Sequence, residues 1–169
     1  MIRMRLATLD DISQIAPMEQ AASEVFREIG MTAVADDAPI PDAVLEQAVA
    51  DQRLWVATEY GTLRAYLLAE FLPESLHIEQ VTVHPDAAHR GIGAMLIQSV
   101  SGDARAVALG KITLTTFENV PWNAPYYERL GFIDIDESEW PTGIAEIVQA
   151  EKDKGLYAWP RVVMMRPIE

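Results

Sequence analysis

Apolar and polar residues alternate over 2–7 (IRMRLA), the pattern of a half-buried strand. Thr8 followed by Asp11 reads as a capping box that opens a helix. Ile15, Met18, Ala22, Val25 and Ile29 then fall on one helical face, with Pro17 inside the stripe predicting a kink or a restart and Gly30 a stop. Residues 31–41, which include Asp36, Asp37 and two prolines, read as a loop, and a short helix follows over 42–50. Apolar runs at 54–58 (LWVAT) and 63–71 (LRAYLLAEF), joined by Tyr60, Gly61 and Thr62, predict an antiparallel hairpin. Pro73, Glu74 and Ser75 turn the chain into another strand at 76–83. A helical stripe of Ile92, Leu96, Val100 and Val107 runs to Gly110. The next strand, 112–117 (ITLTTF), is parallel to 76–83 if the intervening helix is a right-handed crossover. Asn123 is placed to cap a short helix, with Pro125 in its first turn and Gly131 at its end. A strand at 132–135, a helix at 143–154 closed by Gly155, and a strand at 161–165 (RVVMM) complete the pattern.

Composition narrows the classes of function. The length of 169 residues suits one domain, 1–169, and half the residues are hydrophobic, as in a globular protein. No apolar run approaches the roughly 18 residues of a membrane span, and the N-terminus lacks the apolar core of a signal peptide. With no cysteine there is no disulfide framework and no thiolate chemistry, so a cytoplasmic protein is the simplest expectation. A net charge of −13 argues against nucleic acid and anionic membrane as partners. Such a field draws in a cationic substrate, and it equally serves as a solvated surface. No His, Cys or carboxylate cluster has metal-ligand spacing, so no metal is expected.

The stretch at 76–96 (LHIEQVTVHPDAAHRGIGAML) organises the rest. It reads as an apolar strand, a polar loop, and two glycines opening a helix. Backbone N–H groups and the helix dipole at such a junction favour an anion, phosphate above all.

Residues 83–96 (VHPDAAHRGIGAML) resemble the acetyl-CoA-binding motif of the GCN5-related N-acetyltransferases, the GNAT superfamily. Residues 127–132 (YERLGF) resemble that family's second signature, at the expected distance downstream. The order of strands and helices also matches over nearly the whole chain. The resemblance implies an α/β (α+β) acyl-CoA N-acyltransferase fold. Its sheet would be mixed, mostly antiparallel and of about seven strands, flanked by helices, with a V-shaped splay between 76–83 and 112–117. It further implies acetyl-CoA as cosubstrate, bound by Val81, Thr82, Val83, Ala88, His89, Arg90, Gly91, Ile92, Gly93 and Ala94. Arg90, Gly91 and Gly93 match the family's loop, whereas Ala88 stands where it usually has Gln or Arg. Backbone N–H groups must then do more of the holding, with His89 and Arg90 as sources of positive charge.

Acetyl transfer to an amine needs a neutral amine, a polarised carbonyl, a stabilised oxyanion and a protonated leaving thiolate. The resemblance gives the last task to Tyr127, with Tyr126 beside it as a packing residue. Polarisation would come from backbone N–H groups in 79–83. Leu76 and Ile78 share one parity and Val81 and Val83 the other, so either a β-bulge restores one apolar face or the strand is buried on both. Glu79 lies in the right strand to accept the ammonium proton, directly or through water, and His77 is the alternative. His84, before Pro85, reads as structural. Of the asparagines upstream of Tyr127, Asn123 suits capping and Asn119 cofactor contact, while either could touch the pantetheine arm.

The expectation is thus an acetyl-CoA-dependent N-acetyltransferase acting on a primary amine, small molecule or peptide, by direct attack through a tetrahedral intermediate. A non-catalytic acyl-CoA-binding or regulatory module on the same fold is the alternative. A longer acyl donor and assembly as a homodimer are left open.

Overall fold

The computed structural model describes residues 1–169. The elements are β1 (Ile2–Leu6), α1 (Ile12–Ser23), α2 (Val25–Glu28), α3 (Thr32–Ala35), α4 (Asp42–Ala50), β2 (Leu54–Glu59), β3 (Thr62–Phe71) and β4 (Leu76–Val83). They continue with α5 (Ile92–Ser101), α6 (Ala104–Leu109), β5 (Lys111–Phe117), α7 (Ala124–Arg129), β6 (Ile133–Asp134), α8 (Ile144–Asp153) and β7 (Arg161–Pro167). The seven strands lie in the order β1-β2-β3-β4-β5-β7-β6, with β4 and β5 as the parallel pair, the mixed α/β sheet expected from the sequence. No helix is long and apolar enough to cross a membrane. The chain folds as two compact units, residues 1–69 with 80–100, and residues 70–79 with 101–169.

In the first unit β1, β2 and β3 pair antiparallel, from Ile2↔Glu59 to Leu6↔Trp55 and from Leu54↔Leu68 to Glu59↔Thr62. The β2–β3 turn needs left-handed backbone at both central residues. Tyr60 (φ 51°) and Gly61 (φ 78°) supply it, as a two-residue hairpin does. Ile12, Ile15 and Met18 of α1 and Leu45 and Ala48 of α4 share one core with Leu54, Val56, Leu63, Tyr66 and Leu68. The capping box forms: the Asp11 carboxylate accepts the Thr8 N–H at 2.7 Å. It also takes two bonds from the Arg5 guanidinium, at 2.7 and 3.0 Å, which ties β1 to the entry of α1.

Three local expectations are corrected. Helix α1 continues through Pro17 and ends at Ser23, so the chain does not restart at the proline, which removes a single i→i−4 hydrogen bond there. Beyond Met18 the stripe loses its cover, and Ile29 is exposed. The segment 31–41 is not all loop: burial of Met31 and Ala35 accompanies the short helix α3. The stripe from Ile92 to Val107 is two helices. Asp103 accepts the Arg105 N–H at 2.9 Å and caps a new start, which leaves Val107 exposed.

In the second unit β4 pairs with β5 from Leu76↔Ile112 to Ile78↔Leu114, short of the strand ends at Val83 and Phe117. Strand β7 pairs antiparallel with β5 over its whole length and with β6 at Ile133 and Asp134. Ile144 and Val148 of α8 pack with Leu72, Ile135 and Val163. Arg166 donates to the Leu130 carbonyl at 3.0 Å and to Ser101 Oγ at 3.2 Å, and its guanidinium lies 5.2 Å from the Phe132 ring centre.

Candidate active site

In the first unit the end of β4 leads into the glycine loop. Along β4, Leu76, His77 and Ile78 are buried, Glu79 is exposed, and Thr82 is buried between half-buried Val81 and Val83. The switch of parity read from the valines is therefore absent from the burial pattern. Thr82, in step with Leu76 and Ile78, takes the inner position, where its Oγ1 accepts a bond from Gln80 Nε2 at 2.9 Å. Two-sided burial holds at the start of the strand.

His84 is structural: its N–H donates to the Arg64 carbonyl at 2.8 Å and its Nδ1 accepts the Asp86 N–H at 3.0 Å. Residues 85–87 form one 3-10 turn and Ala88 is extended. His89 (φ 62°) and Gly91 (φ 74°) are both left-handed, a conformation that histidine adopts more readily than most residues with a side chain. These two residues swing the chain into α5. The Gly91 carbonyl accepts the Met95 N–H at 3.0 Å and closes the first turn. The N–H groups of Ile92, Gly93 and Ala94 lie in that turn, where no helical carbonyl precedes them to accept. Three such donors at the positive end of a ten-residue helix make an anion cradle.

The side chains around the cradle depart from the sequence reading. The Arg90 guanidinium is held in a two-pronged pair with Glu59, at 2.9 and 2.6 Å. That pairing holds the Glu59 carboxyl below its usual range. Arg90 is thus already neutralised by β2, and His89 is exposed. No local motif announces a pair between residues 31 positions apart.

In the second unit α7 carries the second signature. Tyr127 is buried, with its ring edge-on to Tyr126 (5.5 Å between centres) and Phe132 (5.7 Å). Burial, and then the neighbouring Tyr126, raise its phenol pKa, so the hydroxyl keeps its proton throughout the neutral range. Asn123 occupies the capping position of α7, but its side chain makes no capping bond, which corrects the expectation. Its Oδ1 is instead buried without a partner. Asn119 is exposed.

His77 belongs to a buried network in which the Thr113 hydroxyl bridges His77 Nδ1 (2.9 Å) and Ser75 Oγ (3.0 Å). Burial pushes the imidazole pKa down to about 4, so His77 is neutral at physiological pH. It is a brace between β4 and β5. Glu79, on the same strand, is the exposed carboxylate.

The model of the acetyltransferase (GNAT) family matches residues 17–132, a span that holds both the glycine loop and α7. The chain is 28% identical over 152 residues to S-(2-succino)cysteine N-acetyltransferase of Bacillus subtilis (strain 168), covering 83% of this chain and 90% of that one. Among solved structures it resembles the ribosomal-protein-S18-alanine N-acetyltransferase of Escherichia coli (TM-score 0.67, 16% identity, 100% of this chain and 95% of that one). It also resembles N-acetylglutamate synthase of Neisseria gonorrhoeae complexed with coenzyme A and N-acetyl-glutamate (TM-score 0.72, 17% identity), covering 100% of this chain and 35% of that one. A family match over most of the sequence settles the family: this chain belongs to the GNAT acetyltransferases and is an acyltransferase.

Proposed function

We propose that residues 1–169 act as one cytoplasmic N-acetyltransferase domain that moves an acetyl group from acetyl-CoA to a primary amine, of a small molecule or a peptide. The observation that carries this reading is the start of α5 in a GNAT chain. Gly91 is left-handed, the turn that follows presents N–H groups, and a Cβ added at Gly91 meets nothing within 4 Å. The N–H groups of that turn suit a pyrophosphate, with Val81, Thr82 and Val83 leading into it and Ala88 to Ala94 around it. Asn123 Oδ1, buried and unpaired, is suited to accept an amide N–H of the pantetheine arm, in preference to exposed Asn119.

Acetyl-CoA, when bound, supplies the thioester. Glu79 takes the proton of the acceptor's ammonium, directly or through a water, so that the nitrogen carries a free lone pair. Backbone N–H groups of 79–83 polarise the carbonyl and meet the developing oxyanion. Tyr127, which burial keeps protonated, donates to the departing sulfur. At reference values a phenol is already a weaker acid than a thiol by about 1.5 pKa units, and burial of Tyr127 widens that gap, so this donor works as the C–S bond breaks and charge gathers on sulfur.

Tyr127→Phe tests the assignment. Its kcat should fall by about 100-fold or more, as for loss of a general acid, with acetyl-CoA affinity nearly unchanged. An unchanged kcat removes the acid role. A rise in melting temperature with acetyl-CoA but no CoA release across an amine panel would favour the non-catalytic module.

A further inference from the structure

Strand β6 has two residues, and Arg161 and Val162 at the start of β7 extend beyond its pairing at Ile133 and Asp134. The chain from Asp134 to Glu137, helix α8 and Tyr157 surround this end of β7 and leave a cleft of about 360 Å³. Every residue that lines it belongs to the second unit. A volume of this order holds a small organic molecule.

The charges around the cleft are of both signs and come from different elements. Glu118, Asp134, Asp136 and Glu137 are exposed carboxylates, while Lys152 of α8 and Arg161 of β7 are the cations. Lys152 and these four carboxylates form no ion pair with one another. Opposite charges that share a cleft and do not meet are bridged by a molecule that carries both.

Arg161 is built into the fold. Its side chain is 8% exposed, and its guanidinium lies 4.4 Å from the Phe117 ring centre. Nη2 donates to Thr115 Oγ1 at 3.1 Å. Nε is sealed from solvent 3.4 Å from Glu151 Oε1, and neither atom closes a hydrogen bond. Glu151 balances the charge, and Nη1 is the nitrogen left to face the cleft. A guanidinium already fixed in its plane suits a carboxylate and loses little freedom on meeting one. Lys152, with its Nζ 5.3 Å from the Tyr157 ring centre, adds a solvated cation. Trp140, held by the bond from its Nε1 to the Ile135 carbonyl at 3.3 Å, adds apolar surface together with Val148.

We propose that this cleft binds a zwitterionic α-amino acid with an apolar side chain. Its carboxylate meets Arg161 and Lys152, and its ammonium meets the carboxylates of 134–137. The site goes beyond the acetyltransferase reading and does not depend on it, because binding here needs no acetyl-CoA.

The test titrates isotope-labelled protein, without acetyl-CoA, with three probes of one shape and follows amide shifts by NMR. L-Phenylalanine carries both charges, 2-phenylethylamine only the ammonium and 3-phenylpropionate only the carboxylate. L-Phenylalanine should shift the amides of Val148, Lys152, Tyr157 and Val162. Each single-charge probe should bind at least about 10-fold more weakly, the loss expected for one charged hydrogen bond. Lys152→Ala and Asp136→Asn, both at exposed positions, should each weaken L-phenylalanine about 2- to 5-fold and leave the melting temperature unchanged. Arg161→Lys keeps a charge beside Glu151 but loses the planar fork, and should weaken binding about 10-fold or more. Equal affinity for L-phenylalanine and 2-phenylethylamine would reveal an acidic surface that collects cations and overturns the proposal. So would the absence of shifts at these amides with millimolar L-phenylalanine, or undiminished binding in both Lys152→Ala and Asp136→Asn.

Discussion

Replacing Gly91 by alanine separates the role of the loop backbone from general stability. At φ 74° an alanine is strained, yet its Cβ meets no heavy atom within 4 Å, so there is no packing cost to add. The left-handed conformation costs about 1–2 kcal/mol, offset by roughly 0.5 kcal/mol from the smaller freedom of alanine in the unfolded chain. The net loss of about 1 kcal/mol corresponds to a fall in melting temperature of about 2–4 °C for a chain of this size. A more local route relaxes φ at residue 91, which turns the first N–H groups of α5 away from a bound anion. Gly143→Ala is the control. It sits at φ 97°, and its Cβ would stand 3.1 Å from Leu72 Cδ2, so strain and overpacking combine to about 2–3 kcal/mol. Differential scanning fluorimetry with and without acetyl-CoA reads both effects. Gly91→Ala should lose little stability but most of the acetyl-CoA-induced rise; Gly143→Ala should lose more stability and keep the rise. If Gly91→Ala keeps the full rise, the backbone cradle is not where the ligand's phosphates sit.

Two further outcomes follow from buried titrating groups. Asp11→Ala should cost about 1–2 kcal/mol in urea unfolding, through the lost cap and the lost partner for half-exposed Arg5. Because Arg5 and then the Thr8 N–H lower the Asp11 carboxyl pKa in the folded chain, its contribution is full above about pH 4 and fades as pH falls through the folded value, and the variant should lack that acid-side decline. His77 has the opposite chemistry but the same direction of pH effect. Its folded pKa of about 4 lies below the unfolded value of about 6.5, so the unfolded chain binds more protons between them and stability falls as pH drops through that window. The loss between pH 7 and pH 5 should be on the order of 2 kcal/mol, absent in His77→Gln, and the imidazole NMR signals should not shift above pH 6.

Much of this fold was legible because neighbours in sequence fix it. The Thr8–Asp11 box, the Tyr60–Gly61 turn and the strand–loop–helix at 76–96 each depend on residues within a few positions of one another. The break between α5 and α6 was legible too, in Gly102 and Asp103, but the apolar stripe running past them spoke louder. Other features depended on distant partners. Arg90 looked like a phosphate ligand until Glu59, brought by the hairpin, claimed its guanidinium. His77 looked like a base until Thr113 and burial made it a brace. Asn123 looked like a cap, and its unpaired Oδ1 follows from the path of the chain before α7.

The central claim is tested most directly by incubating the protein with acetyl-CoA and a panel of primary amines, then measuring released CoA and N-acetylated product by mass spectrometry. One acetylated amine should appear for each CoA released, with wild type and not with Tyr127→Phe. CoA release without acetylated amine, or no release with any amine despite tight acetyl-CoA binding, would contradict the account.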